Sequence, residues 1–392
     1  MTVLAPRGTL DEFRENVRDW CRTHVPTDWR AEQTGASDEE FVRFQKAWMQ
    51  ELRTAGLAVP HWPQEWGGGM STPRQIVLYQ ELAAHDAPRL VLPFVSIHHA
   101  ASTLLAAGTD EQRRRHLPAI LDGEIWCQGF SEPGAGSDMA ALKTTARRDG
   151  DAYVVKGQKL WASGAMYADW CLLLARTDPN APKRQGISYF LMDMKTPGIE
   201  VRPIRQATGE SHFCEIFLDD VVIPASQLVG RPNEGWQVAQ ETLGAERGMT
   251  MLELAERLGS SGFRWLVELC SRHRGDALVA DELASLEIEL TGLRALCADF
   301  AGNPRPGPAD ASIVKLHYSE LLQRMTDFGA DIAGLSAHTV LRKPLSSGWE
   351  SGAWVLDFIG SWEWTIPGGT SEIQRTIIGE RGLGLPREPR GH

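Results

Sequence analysis

The sequence predicts an α+β chain built from three segments: helical, then β-rich, then helical again. Three observations carry this. The 392 residues exceed one ordinary core, since domains run to roughly 100–200 residues. The apolar period changes from helical to alternating after Ile125, and helical spacing returns from about Glu234. Boundaries are therefore expected near residues 125 and 232, giving segments 1–125, 126–231 and 232–392.

In the first segment, Phe13, Val17, Trp20 and Cys21 recur at helical spacing between Asp11 and Cys21, and Asp38 to Leu57 repeats the habit. Thr109-Asp-Glu-Gln112 has the form of a capping box and should open a helix that ends at Gly123. Between these helices, Pro60 to Gly69 is dense in Pro and Gly and reads as a loop. In the second segment, Asp149-Gly150 suits a hairpin turn before Tyr153 to Trp161. Further β-rich runs follow at Trp170 to Ala175, Gly186 to Met194 and Cys214 to Ile223, with Pro224 and Gly230 punctuating their end. The third segment is long helices, interrupted at Gly302-Asn-Pro-Arg-Pro-Gly-Pro308.

Composition narrows the function classes. Lys plus Arg number 40 against 51 for Asp plus Glu, a formal net charge of −11, which argues against a surface for nucleic acid or anionic lipid. The six cysteines, at 21, 127, 171, 214, 270 and 297, are scattered without a CxxC pair, so reduced structural thiols are expected. The start of the sequence lacks a charged stretch followed by an apolar one, and no run of about 18 apolar residues appears. A cytoplasmic protein without membrane insertion is the expectation. Tryptophan is abundant, 14 against five tyrosines, which suits large flat surfaces or pockets.

The chemistry-bearing stretch begins at Trp126 as WCQGFSEPGAGSD. Gly134 and Gly136 form a Gly-x-Gly, but Met139 occupies the place where a dinucleotide fingerprint needs its third glycine, and the context is a helix-to-strand junction. A glycine-bordered loop with free amides can still cradle a phosphate or a polar ring edge. Downstream come KLWASGAMYADW, GISYFLMDMKTPGIEV, EIFLDDVVIPASQLVG and GGTSEIQRTIIGERGLGLPR. With these motifs in this order, the chain resembles the acyl-CoA dehydrogenase family over essentially its whole length.

That resemblance implies a helical N-terminal domain, a central β-barrel-like domain and a C-terminal four-helix bundle, with FAD extended between the last two. It implies that Gln128 to Ser137 line the flavin, with Phe130 and Ser131 near the pyrimidine edge and Gly136 and Ser137 nearer the phosphates and substrate. Trp161 and Ser163 take the positions that cover the flavin ring and hydrogen-bond near N5. Ser163 keeps the hydroxyl that many relatives supply from Thr. Thr370 and Glu372 match flavin-contacting positions, and Ser371 to Gln374 has a capping-box pattern that should start a helix.

The family reaction removes a proton from the α carbon of an acyl thioester while the β hydrogen leaves as hydride to the flavin. It needs a carboxylate base opposite the flavin and donors aimed at the thioester oxygen. Many relatives place the base just before the Gly-Thr of the last motif, where this chain has Gly368, which offers only its backbone N–H to the substrate. A second family arrangement puts Glu before Arg on the first long helix of the bundle, and Leu243-Gly-Ala-Glu-Arg-Gly248 matches it. Glu246 is thus the expected base, and Arg247 the adjacent family Arg, either structural or near the CoA moiety.

The resemblance also implies an acyl-CoA or acyl-carrier-protein thioester as substrate, an electron-transfer flavoprotein as partner, and a homo- or hetero-oligomer such as a tetramer. Two features depart from it. The Arg-x-x-Phe-Gly segment that reaches a neighbouring subunit's FAD is replaced by Ser271-Arg-His-Arg-Gly275, and the glycine-rich loop before the last motif is reduced to Gly329-Ala-Asp-Ile-Ala-Gly334. Two other classes stay open: a flavin monooxygenase or oxidase on the same fold, and a subunit that completes a partner's FAD site. His98-His99 lacks metal-ligand spacing and Arg113-Arg-Arg115 reads as a solvated helix face.

Overall fold

The computed structural model describes residues 8–245, 249–303 and 305–387. Helices α1 (Leu10–His24), α2 (Trp29–Gln33), α3 (Asp38–Thr54), α4 (Thr72–Ala84), α5 (Ala101–Ala107) and α6 (Asp110–Leu121) precede eight strands. These are β1 (Trp126–Gly129), β2 (Thr145–Asp149), β3 (Ala152–Ser163), β4 (Trp170–Arg176), β5 (Ile187–Asp193), β6 (Ile199–Ile204), β7 (Phe213–Pro224) and β8 (Leu228–Val229). Then follow α7 (Gly235–Ala245), α8 (Met249–Arg257), α9 (Arg264–Cys270), α10 (Ala277–Gly302), α11 (Asp310–Ala333), α12 (Trp354–Ser361) and α13 (Ser371–Ile377). The helix, β, helix order is the one the sequence predicts.

By contacts, the chain forms two compact units. One is helical and takes residues 8–41, 54–89 and 249–387; the other takes 42–53 and 90–245 and contains the sheet. The N-terminal helices are therefore shared out: α1, α2 and α4 fold with the C-terminal helices, while α5, α6 and most of α3 fold with the strands.

In the helical unit, α1 follows directly from its sequence. Thr9 and Glu12 form a reciprocal capping box, and Phe13, Val17 and Cys21 bury one stripe at a spacing of four. The buried Glu81 of α4 accepts from Arg14 at 2.9 Å and from Arg18 at 3.1 Å, tying α4 to α1. Gln80 of α4 donates to Glu256 of α8 at 3.1 Å. Helix α8 runs into α9 through a π-helical turn, Leu258–Phe263. Asp276 caps α10 by accepting from the Leu278 and Val279 amides. A Cβ at Gly329 would come within 2.1 Å of the Trp354 ring, so α11 and α12 pack at a distance only glycine permits. Gly329 is thus part of a helix rather than of the loop that the motif comparison suggests.

In the sheet unit the strand order is β6-β7-β3-β2-β4-β5-β8, with β1 beside β4. A single parallel pair, Thr145 with Arg176, joins β2 to β4. The sheet is therefore an antiparallel leaf, β6-β7-β3-β2, joined at one point to a mixed leaf in which β4, β5 and β8 pair antiparallel and β1 runs parallel to β4, barrel-like without closing. The β2–β3 hairpin turns at Gly150 with φ +59°, as the Asp149-Gly150 signal predicts. Strand β6, absent from the sequence reading, is an edge strand containing Pro203 and only half-buried, so it lacks a clear alternating pattern. Between the leaves lie Val155, Cys171, Leu173, Phe190, Cys214 and Ile216, all fully buried.

The Thr109 capping box forms with both of its bonds, and α6 stops before Gly123 at φ +99°. Its His116 is 1% exposed and stands edge-on to Trp126 and Trp170. Glu124 collects the Trp126 indole N–H at 3.1 Å and that of Trp170 at 3.0 Å, with His116 Nδ1 at 3.3 Å. Two of the surplus tryptophans thus serve to lock α6 onto β1 and β4. His98 and His99 are buried in a π-helical turn, Val95–Ala100, against Phe94. No group of residues suited to a metal ion occurs among the described residues. All six cysteines are free and buried. No helix among the described residues is long and apolar enough to cross a membrane.

Candidate active site

The sheet unit gathers seven of the predicted flavin and substrate residues on β1, the loop after it, and the end of β3. Gln128 lies in β1 opposite Leu172, and its Nε2 is buried without a hydrogen-bond partner. Phe130 turns its ring inward, edge-on to Tyr189 at 5.7 Å. Only its backbone is therefore available to a ligand. Ser131 is half-buried, while Gly136 and Ser137 are exposed. The amides of Gly136 and Ser137 have no acceptor among the described residues, and a Cβ on Gly134 or Gly136 would meet nothing within 4 Å. The loop thus presents backbone donors to open space.

A buried ion pair that the sequence reading missed holds this loop in place. Lys159 of β3 is 0% exposed, and its Nζ donates to Glu132 Oε1 at 2.8 Å and to the Phe130 carbonyl at 3.2 Å. Glu132 also accepts from the amides of Lys143 at 2.6 Å and Thr144 at 2.9 Å. Leu160 N–H donates to the Ser131 carbonyl at 2.9 Å. Burial alone would raise the Glu132 carboxyl, but the Lys159 charge and these hydrogen bonds outweigh it and hold the group below the usual carboxylate range. The available signal was weak: a lysine between Gly157 and Trp161 looks like any strand lysine until its register is known.

Directly after this anchor β3 bulges, with a register shift against β7 between Lys159 and Ala162. Trp161 sits in the bulge at φ +61°, a left-handed conformation that costs a non-glycine residue about 1–2 kcal/mol. Its indole is 53% exposed and makes an edge contact to Phe213 at 6.1 Å. Ser163, two residues on, is exposed on the same side of the strand. A large flat ring held out of the core on a strained backbone is what a planar cofactor would need.

The helical unit carries the remaining described residues, Gly368, Thr370 and Glu372. Gly368 has φ +66° and Gly369 has φ +99°. Lys315 of α11 donates to the Gly369 carbonyl at 2.7 Å, and Gln374 Nε2 donates to the carbonyls of Gly368 at 2.8 Å and Gly369 at 3.0 Å. With both carbonyls clamped, the amides of Gly368 and Gly369 keep no acceptor among the described residues. The cap of α13 is Thr370, whose Oγ1 accepts from Ile373 N–H at 3.3 Å. The capping pattern predicted from Ser371 to Gln374 is thus displaced by one residue, because Gln374 is drawn back to the glycine turn. Ser371 Oγ is left buried without a partner. Glu372 is exposed and folds onto its own amide and the Thr370 hydroxyl, which hold its carboxyl below the usual range. Glu246 and Arg247 lie outside the described residues.

A sheet that holds out a flat indole beside a free-amide loop, and a helical unit with a clamped glycine turn, define a flavoprotein oxidoreductase of the acyl-CoA dehydrogenase type. Comparison with known proteins agrees along the chain. Residues 8–124 match the acyl-CoA dehydrogenase N-terminal domain, 127–221 the middle domain and 233–383 the C-terminal domain. The chain belongs to the acyl-CoA dehydrogenase family. It is 39% identical over 397 residues to acyl-CoA dehydrogenase IpdE1 of Mycobacterium tuberculosis, covering 97% of this chain and 99% of that one. Among solved structures, a steroid acyl-CoA dehydrogenase, Tcur3481-Tcur3483, superposes with TM-score 0.82 at 30% identity, covering 98% and 100%. The ChsE4-ChsE5 complex of Mycobacterium tuberculosis superposes with TM-score 0.78 at 30% identity, covering 98% and 99%.

The residues present fit the flavin this family implies. The orphaned Gln128 amide and the unpaired Gly136 and Ser137 amides supply polar contacts, and Trp161 supplies a face for a ring.

Proposed function

We propose that the protein is an FAD-dependent acyl-CoA dehydrogenase that forms a trans-2-enoyl thioester, with an electron-transfer flavoprotein as its electron acceptor. The observation that carries this reading is Trp161, presented at φ +61° and 53% exposed beside the loop fixed by Lys159. Gln128, Ser131, Gly136, Ser137 and Ser163 would hold the cofactor, and Thr370 and Glu372 are further positions that the family match assigns to it. FAD, when bound, supplies the acceptor for the β hydrogen and its electron pair.

The chain's own residues do the rest. Glu246 takes the α proton of the thioester. The Gly368 N–H donates to the thioester oxygen as charge builds there, its turn stiffened by Lys315 and Gln374. Arg247, next to that base in the sequence, is assigned to the CoA moiety by the family match. The acyl group is bulky or ring-bearing, in line with the likeness to a steroid acyl-CoA dehydrogenase. Anaerobic titration with acyl thioesters tests the reading: the flavin absorbance should bleach, and Glu246→Gln should slow bleaching by about 10²–10⁴-fold, the usual range for a lost general base. No bleaching by any thioester at normal FAD content would overturn it, and full turnover by Glu246→Gln would favour the oxygen-using flavoenzymes of this fold.

A second reading, a heteromer in which this chain completes a partner's cofactor site, is favoured by the sequence at Ser271–His273. There an exposed 3₁₀ turn stands where relatives place the Arg-x-x-Phe-Gly segment, and one of the similar structures is a two-protein complex. FAD content after expression alone separates the readings. A heteromer subunit would lose FAD when made without its partner.

A further inference from the structure

Helix α10 is apolar on two sides. Its inner stripe, Val279, Leu286, Leu290, Leu293 and Cys297, is buried where the helix packs on α8 and α11. The outer side of such a helix should be polar. Instead Leu278 is 81% exposed, Ile288 72% and Leu296 40%. Ala277, Ala284, Thr291 and Ala295 are exposed with them. From Ala284 through Ile288 and Thr291 to Ala295 the steps are four, three and four residues, the spacing of a seam between two helices.

The face has relief as well as apolar character. Ala284, Glu287, Ile288 and Thr291 line a shallow hollow, and these are positions i, i+3, i+4 and i+7. Four residues so placed form the hole that takes one side chain of a facing helix. Beside it, a Cβ on Gly292 would meet nothing within 4 Å, so another backbone can come close. Charge selects the occupant. Glu282 and Glu289 are both held by Arg324 of α11, whereas Glu287 is exposed and makes no ion pair among the described residues. Seven residues on, at the same edge of the seam, Arg294 bonds Glu256 through Nη2 and stays 44% exposed. A second α10 laid antiparallel, with Ile288 against Thr291 of its mate, sets Glu287 opposite Arg294 and Arg294 opposite Glu287. The face is thus its own complement about a two-fold axis, and each helix's positive end lies by the other's negative end. Asp281, the one charge in the seam, meets Ala298 near the end of the pair, where a polar residue fixes register at some cost in stability.

We propose that the outer face of α10 is an interface that docks a second copy of this chain, through an antiparallel pair of α10 helices with Ile288 at its centre and a Glu287–Arg294 ion pair on each side. The inference uses no cofactor or substrate and stands apart from the dehydrogenase reading.

The experiment follows the purified full-length protein by analytical ultracentrifugation over a concentration series. Wild type should show an association step that Ile288→Asp weakens at least about tenfold, because the new charge must enter the seam unpaired. Glu287→Lys should weaken the same step by setting like charges opposite one another, and Glu287→Lys with Arg294→Glu should recover most of the loss. A second measurement does not depend on the Arg294 bond to Glu256. All six native cysteines are buried, so introduced ones report alone. A mixture of Ile288→Cys and Thr291→Cys, both at exposed positions, should form an intermolecular disulfide several-fold faster than either variant by itself. A wild type that stays monomeric overturns the proposal, and so does an assembly with no step sensitive to Ile288→Asp. Equal rates for mixed and separate cysteine variants overturn it too, as does association that requires a different chain.

Discussion

Trp161 shows how one residue can be kept against the interest of the fold. Its backbone is left-handed and its ring is largely out of the core, so glycine there should relieve strain without opening a cavity. Trp161→Gly is expected to melt no lower than wild type when stripped of cofactor, and to retain markedly less FAD after gel filtration. Loss of stability in the stripped variant would show that the indole is a packing residue after all. The sequence identified Trp161 through its neighbours, but the bulge that exposes it depends on pairing with β7, a segment about 50 residues further on, and leaves no local signature.

Asp357, on α12, is a second case decided by burial. It is 0% exposed and accepts from the Ser351 amide at 2.8 Å and hydroxyl at 2.7 Å. Burial raises its pKa from 3.8 to about 7, Glu350 adding to the rise and the Ser351 bonds and Lys343 opposing it. The folded state therefore holds a proton that the unfolded chain releases near 3.8. The associated stability is fully present below that pH and is lost as pH rises through about 7. The melting temperature should fall between about pH 4 and 7, and Asp357→Asn should flatten that fall; an identical slope in the variant would rule Asp357 out as its source.

Among elements, β3 carries the most. Within five residues it supplies the buried lysine that fixes the 130–132 loop, the bulge, Trp161 and Ser163. Removing one partner of a buried pair leaves an uncompensated charge, at about 3–5 kcal/mol. Lys159→Met should lower the melting temperature and weaken FAD binding at least tenfold, because the loop loses its tie. The double variant Lys159→Met with Glu132→Gln should recover more stability than FAD affinity, as no substitute cation reaches the Phe130 carbonyl. Parallel recovery of both would mean that the pair serves stability alone. The glycine turn before α13 was legible only as a motif. That Lys315 and Gln374 clamp it depends on α11 folding back across more than 50 residues, a separation at which spacing says nothing.

At the scale of the molecule, the three segments were legible because the apolar period changes where the architecture changes, and the Thr109 box and Gly150 turn are local devices that act alone. The division into two units was not, since it follows from which helices find partners across the chain. Gln80 meets Glu256, Thr34 bridges to Pro344, and Arg89 N–H reaches the Ser346 carbonyl. Each is a contact with a residue well over a hundred positions away.

Those contacts set a timetable. During synthesis the first helices leave the ribosome long before their partners exist: Glu256 follows Gln80 by 176 residues, on the order of ten seconds or more at cellular elongation rates. Through that interval the Phe13, Val17 and Cys21 stripe of α1 has no complete core to enter. The unit containing the strands is closed by residue 245 and can fold first. A chain arrested after α7 should therefore hold a protease-resistant sheet unit and leave α1 open to chaperone capture, and the order of translation becomes part of how this enzyme is assembled.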